Sequence, residues 1–158
     1  MTTLTRRTFL KGSFASGALA LTAAVGLLKP ARVLAATWPA AAFEATSAAQ
    51  ALQSLFGTTH IPMDSRIHIR APIQAENGAV VPIEVTTSLP QVESIAIVVD
   101  KNPSPLVTQV RLMNGAEGFF MARMKMGQTS PVRVIVKSGG RLYQASQSIK
   151  VTVGGCGG

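Results

Sequence analysis

This 158-residue chain has only one cysteine, one tyrosine, one tryptophan and two histidines. A lone cysteine has no partner in its own chain, so no internal disulfide staples the fold. His60 and His68 stand eight positions apart and far from that cysteine, which is not the spacing of a zinc or haem ligand set. No metal and no resident cofactor is therefore expected. His68 alternates with Arg66 and Arg70 and reads as a residue of a polar strand face. Acidic residues are also few, seven against fifteen lysines and arginines, for a formal charge of +8. That surplus does not make a nucleic-acid binder, because it is unevenly spread. Arg6, Arg7, Lys11, Lys29 and Arg32 lie in the first 35 residues with no acid among them, and the remainder carries ten cations against seven acids, a net of only +3. Nor does the body interleave cations with aromatics as stacking platforms require. Neither a Ser-His-Asp arrangement, nor a glycine-rich phosphate loop between strand and helix, nor a pair of carboxylates beside a candidate acid is present to make it an enzyme.

The N-terminal segment reads as an address. Thr5-Arg6-Arg7-Thr8-Phe9-Leu10-Lys11 sets paired arginines ahead of an apolar stretch, Gly12 to Leu28, diluted with glycine, alanine and serine. This is the pattern of a twin-arginine export signal, with Arg6 and Arg7 as its recognition pair. Residues 1–35 are assigned to the signal, with cleavage after Ala35 or Ala36, following Val33-Leu34-Ala35. The apolar stretch is at the lower edge of what spans a bilayer, so a retained anchor is the alternative and no permanent anchor the expectation. The route exports folded proteins, and with no cofactor to load, a folded partner is the better reason for it.

Residues 36–57 predict one amphipathic helix. Between Trp38 and Phe56, Ala41, Ala45, Ala48, Leu52, Leu55 and Phe56 recur at helical spacing, with Pro39 near the start and Gly57 after the end. From 58 to 153 the period changes to two: Ile67 and Ile69 alternate with Arg66, His68 and Arg70, and Val81, Ile83 and Val85 alternate with Pro82, Glu84 and Thr86. Ser94 to Val99, Val107 to Met113, Phe119 to Met126, Pro131 to Lys137 and Leu142 to Val153 complete the strands, the last with a break expected near Ser146. Turn signals fall between them at Glu76-Asn77-Gly78, Lys101-Asn102-Pro103, Asn114-Gly115 and Ser138-Gly139-Gly140, and prolines should mark strand ends and edges. This is an all-β pattern with an N-terminal helix, an immunoglobulin-like antiparallel β-sandwich, with a small barrel as second choice. In the stretch from Phe119 to Met126, alternation puts Phe120, Ala122, Met124 and Met126 on one face and Phe119, Met121, Arg123 and Lys125 on the other. Both faces are open to core packing, and the second also suits a partner surface.

The last strand runs into residues 154–158, Gly154-Gly155-Cys156-Gly157-Gly158, which hold the only cysteine. Glycine has no Cβ and takes either sign of φ, so two on each side of the thiol predict a flexible arm and leave nothing to shield the sulfur. Extended from Gly154 to Cys156, such an arm spans at most about 10 Å, enough to enter a narrow cleft while the domain stays outside. Lys150, six residues back, is the nearest cation in sequence, and the C-terminal carboxylate two residues on opposes thiolate formation. Cys156 thus reads as a passive attachment point rather than a catalyst, and disulfide-linked dimers are expected under oxidising conditions.

These features together resemble the SoxY family, the sulfur-substrate carriers of the periplasmic Sox thiosulfate-oxidising system. The resemblance rests on Arg6-Arg7-Thr8-Phe9-Leu10-Lys11, the alanine-rich helix, Ala75-Glu76-Asn77-Gly78-Ala79-Val80-Val81-Pro82 and, most specifically, the terminal Gly154-Gly155-Cys156-Gly157-Gly158. It implies an immunoglobulin-like sandwich, a heterodimer with SoxZ, periplasmic location and covalent loading of Cys156 with thiosulfate-derived sulfur. It implies transient partners too: the cytochrome pair SoxAX to conjugate thiosulfate, the hydrolase SoxB to release sulfate, and in complete systems the sulfane dehydrogenase SoxCD. SoxZ lacks an export signal in that family, which would explain the twin-arginine signal here. Two rivals stand beside it: a ubiquitin-like carrier bearing sulfur as a terminal thiocarboxylate, and an exported immunoglobulin-like binding or assembly module to which the tail is irrelevant.

Overall fold

The computed structural model describes residues 38–152. Arg6, Arg7 and the cleavage positions lie outside them, as do Val153, Gly154, Gly155, Cys156, Gly157 and Gly158. Within the described residues two short helices, α1 (Ala40–Phe43) and α2 (Ala48–Phe56), precede eight strands: β1 (Ile67–Arg70), β2 (Gln74–Ala75), β3 (Val81–Thr87), β4 (Val92–Val99), β5 (Leu106–Arg111), β6 (Phe119–Met124), β7 (Ser130–Ser138) and β8 (Arg141–Val151). They form a three-stranded sheet ordered β1-β3-β6 and a five-stranded sheet ordered β2-β8-β7-β4-β5. The fold is an immunoglobulin-like sandwich, with no closed barrel, and every pairing between named strands is antiparallel except that of β2 with β8.

The alternation in sequence is the alternation of burial. Val81, Ile83 and Val85 on β3 point into the core, where they meet Ile95, Ile97 and Val99 of β4, Val132, Val134 and Val136 of β7 and Met124 of β6. β4 and β7 do not alternate cleanly because both of their faces are covered, and a strand buried on both sides reads as a continuous apolar run. Ala96, Val98, Leu106 and Ile135 face away from the sandwich and are covered by Ala42, Ala45, Ala48, Ala51 and Leu52 of the helical segment. The structure is therefore three layers thick, helices on the large sheet on the small sheet. Full burial of an aliphatic side chain is worth about 1.5–3 kcal/mol, which makes the shared strands β4 and β7 the energetic centre.

The single helix expected over Trp38 to Phe56 is instead two. Ser47 adopts an extended conformation, φ −136° and ψ 150°, and its hydroxyl accepts a hydrogen bond from the Gln50 N–H at 3.2 Å. That N-cap satisfies an orphan donor at the start of α2 and offsets the loss of one turn of helix. The apolar face also shifts: Ala41 is exposed, and Ala42 takes the buried place expected of it. Gly57 ends α2 in the left-handed region, φ 72°, as a glycine after a helix commonly does.

Three further expectations change. β8 runs unbroken through Ser146, each residue from Arg141 to Ile149 opposite a residue of β7. The short β2 carries too few residues for a periodic signal and was not expected. Pro82 lies inside β3, the middle strand of its sheet, but β1 reaches only as far as Glu84, so at Pro82 the strand has a neighbour on one side alone and needs no second donor. The Ser138-Gly139-Gly140 signal is a two-residue hairpin, with φ of 52° and 75° at the two glycines and Ser138 opposite Arg141. At the start of β1, Arg66 holds the Asp64 carboxylate at 2.7 Å, and this hydrogen-bonded ion pair lowers the Asp64 pKa to about 2.

Candidate functional site

Since the arm itself lies outside the described residues, the site is the end of the sandwich from which it leaves. Three turns meet there: 76–80 between β2 and β3, 100–105 between β4 and β5, and 125–129 between β6 and β7. Side-chain amides lace two of them together. Asn102 donates through Nδ2 to the Lys125 carbonyl at 2.7 Å and accepts at Oδ1 from the Gly127 N–H at 3.1 Å, while Gln128 Nε2 donates to the Lys101 carbonyl at 3.2 Å. The Lys101 N–H donates to the buried Ser130 hydroxyl at 3.0 Å, tying the same turn to β7. A surface cavity of about 420 Å³ opens beside this lacing, lined by Asn102, Pro103, Ser104, Val107, Lys125 and Gly127.

β8 outruns β7 here. The last residue of β8 with a β7 partner is Ile149, opposite Ser130, yet the chain stays fixed through Thr152. On one side β2 pairs in parallel, with the Lys150 N–H donating to the Ile73 carbonyl at 2.9 Å and the Thr152 N–H to the Ala75 carbonyl at 3.1 Å. Thr152 Oγ1 donates to that same carbonyl at 3.2 Å. On the other side Thr129 takes the place of the strand that has ended: its Oγ1 accepts from the Val151 N–H at 3.0 Å and lies 3.5 Å from the Val151 carbonyl.

Gly78 closes the same corner. Its carbonyl accepts from the Met126 N–H at 2.7 Å, and a Cβ in its place would stand 2.3 Å from the Met126 carbonyl oxygen and 2.8 Å from Val151 Cγ1. Sequence reasoning found Gly78 as a turn residue and as part of the Ala75 to Pro82 motif. Thr129 and Gly78 were missed as site residues because their partners are distant in the chain and leave no local pattern.

Lys101, Lys125 and Lys150 are exposed at this end and form no ion pair among the described residues, whereas Asp100 is held by Arg133 at 2.7 Å. Among the described residues no group of three histidines, cysteines or acids could hold a metal ion. Two of the buried hydroxyls donate to backbone carbonyls, Ser130 to Pro131 and Ser138 to Pro90.

A second feature lies on the small sheet. β6 pairs only with β3, so one of its edges is unpaired among the described strands. The alternation read in sequence holds: Met124 and Met126 are buried, Phe120 and Ala122 pack against the core, and Phe119 and Met121 remain 50% and 65% exposed. His68 and Arg70 are exposed on the same sheet.

Comparison with known proteins bears on the fold and the family. The family model described as sulfur oxidation protein SoxY matches residues 52–156, a span that includes Cys156. No curated protein matches. Among solved structures, the sulfur carrier protein SoxY from Chlorobium limicola f thiosulfatophilum is 37% identical, covering 70% of this chain and 96% of its own, with a TM-score of 0.62. The superoxide reductase (neelaredoxin) from Ignicoccus hospitalis is 18% identical over 54% of this chain and 80% of its own, TM-score 0.50, a likeness of fold alone.

Proposed function

This chain belongs to the SoxY family, and from that premise we propose that it carries thiosulfate-derived sulfur covalently on Cys156 and presents it to the enzymes of the Sox system. Its role in that system is that of a sulfur carrier in thiosulfate oxidation. One observation carries the covalent reading: the family match runs to Cys156, the only thiol in the chain, set between two pairs of glycines.

The chemistry asks little of the domain. In the loading step the Cys156 thiolate and the outer sulfur of thiosulfate form an S–S bond, and the two electrons released pass to an oxidant of the c-type cytochrome class. In the next, water attacks the terminal sulfonate sulfur, sulfate and two protons leave, and a persulfide remains on the cysteine. Both steps need an activated partner site, and the chain contributes a thiol and its reach. A non-catalytic role in the SoxAX, SoxB and SoxCD reactions follows from this.

Intact mass of the mature protein from cells grown on thiosulfate tests the reading. Adducts removed by reductant and localised to Cys156 are expected. A thiocarboxylate on Gly158 would replace the reading with a ubiquitin-like carrier, and an unmodified tail in actively oxidising cells would favour a binding or assembly module.

The partner proposed for the heterodimer is SoxZ, and the β6 face is the surface proposed to meet it. An apolar pair on an edge strand beside cations combines an interface core with a polar rim. Replacing Phe119 and Met121 together by aspartate should weaken the heterodimer by about tenfold or more, since truncation of a central anchor commonly costs 1–2 kcal/mol or above. Sedimentation of the mixed subunits reads this directly, and unchanged association would remove the face from the interface. Export to the periplasm by the twin-arginine route is proposed from Arg6 and Arg7. Among the described residues no helix is long and apolar enough to cross a membrane.

A further inference from the structure

A strand that outruns its neighbour normally frays, because its next N–H and C=O groups have lost their partners. At the end of β8 they have been given substitutes. β2, only two residues long, covers one side of Lys150 to Thr152. A single hydroxyl, Thr129 Oγ1, covers the other at Val151. Thr129 is itself exposed and belongs to a turn, so it contributes nothing to the core. Its evident use is the hydrogen bond to a residue 22 positions away in sequence.

We propose that Thr129 is a positioning residue that pins Val151 at the root of the carrier arm, opposite the hydrogen bonds by which β2 holds Lys150 and Thr152. The purpose, though not the structural test, rests on the carrier reading above. With the chain held at Thr152, four residue steps lead to Cys156, at most about 14 Å at 3.3–3.6 Å per residue. Without the Thr129 bond the end is held from the β2 side alone, and when those hydrogen bonds open as well β8 frays back to Ile149, its last residue opposite β7. Seven steps are then free and the limit grows to about 25 Å. The spread of a flexible chain grows as the square root of its length. The volume searched by the thiol then rises by about 2.3-fold, and its effective concentration in a cleft docked at this end falls in proportion. A fixed fulcrum thus trades range for frequency of delivery, which suits a carrier that must place one sulfur in several active sites.

Thr129→Val removes the hydroxyl at nearly constant shape, and Thr129→Ser restores it. In the full mature chain, amide hydrogen exchange at Val151 should accelerate about tenfold or more in Thr129→Val, with Ile135 in the core unchanged and Thr129→Ser within about twofold of wild type. With the sulfate-releasing hydrolase and thiosulfate-loaded carrier, KM should roughly double in Thr129→Val while kcat holds, and Thr129→Ser should return KM to the wild-type value. Unchanged exchange at Val151, acceleration that spreads to Ile135, or a loosened Val151 with unaltered KM would each overturn the proposal. Failure of the wild-type chain to load sulfur on Cys156 would instead overturn the carrier reading, and the exchange experiment would still report whether Thr129 holds the strand.

Discussion

Cys156→Ser should abolish sulfur loading completely and leave the thermal midpoint within about 1 °C of wild type. Loading needs a sulfur nucleophile that ends in an S–S bond, and a serine hydroxyl at neutral pH supplies neither the anion nor the bond. No other thiol can substitute, because the chain has no second cysteine. The stability half follows from the expected arm: two glycines on each side of the cysteine predict nothing for the sulfur to pack against. Intact mass after incubation with thiosulfate, the conjugating cytochrome and an electron acceptor checks the first part, and a thermal melt the second. A residual reducible adduct would place the carrier atom elsewhere. A midpoint lowered by several degrees, about 1 kcal/mol for a domain of this size, would show that the cysteine is packed.

Gly78→Ala should cost about 1–3 kcal/mol, the usual penalty for forcing an atom into a filled site. The added Cβ would meet the Met126 carbonyl oxygen at 2.3 Å, and backbone cannot rotate away as a side chain can. Relief requires the 76–80 turn to withdraw from the 125–129 turn, which stretches the hydrogen bond from the Met126 N–H to the Gly78 carbonyl. Val151 Cγ1, at 2.8 Å from the same point, is pushed as well, so the root of the arm loosens together with the fold. Urea titration should show a lower midpoint at unchanged slope. Gly127→Ala is the matched control: nothing lies within 4 Å of its Cβ position, and its expected effect is within about 0.5 kcal/mol. Equal costs for the two variants would show that the corner at Gly78 is not tightly packed.

The residues proposed to carry chemistry could be named from the sequence because a thiol between glycines is a local statement, though they lie outside the described residues. Strands with one face buried were legible too, such as β3, where Val81, Ile83 and Val85 alternate with polar or exposed neighbours. The helical break was not, because Ser47 is a tolerable helix residue whose capping geometry competes with one more turn, and the pattern of alanines is compatible with either outcome. β2 and the Thr129 bond were invisible for a different reason. Each depends on a partner that only the folded chain brings near, so no window of sequence contains both halves of the interaction.

The pairing of β2 with β8 also orders events in time. Thr152 and Ala75 are 77 residues apart in sequence, so their contact closes a loop that holds most of the domain. Closure of so long a loop goes uncompensated until the intervening strands have paired. The mount of the arm is therefore among the last parts of the molecule to form, and a chain whose Thr152 is anchored has already folded. An anchored arm reports a finished domain, so an enzyme that recognised the mount would reject chains still folding without any separate act of inspection.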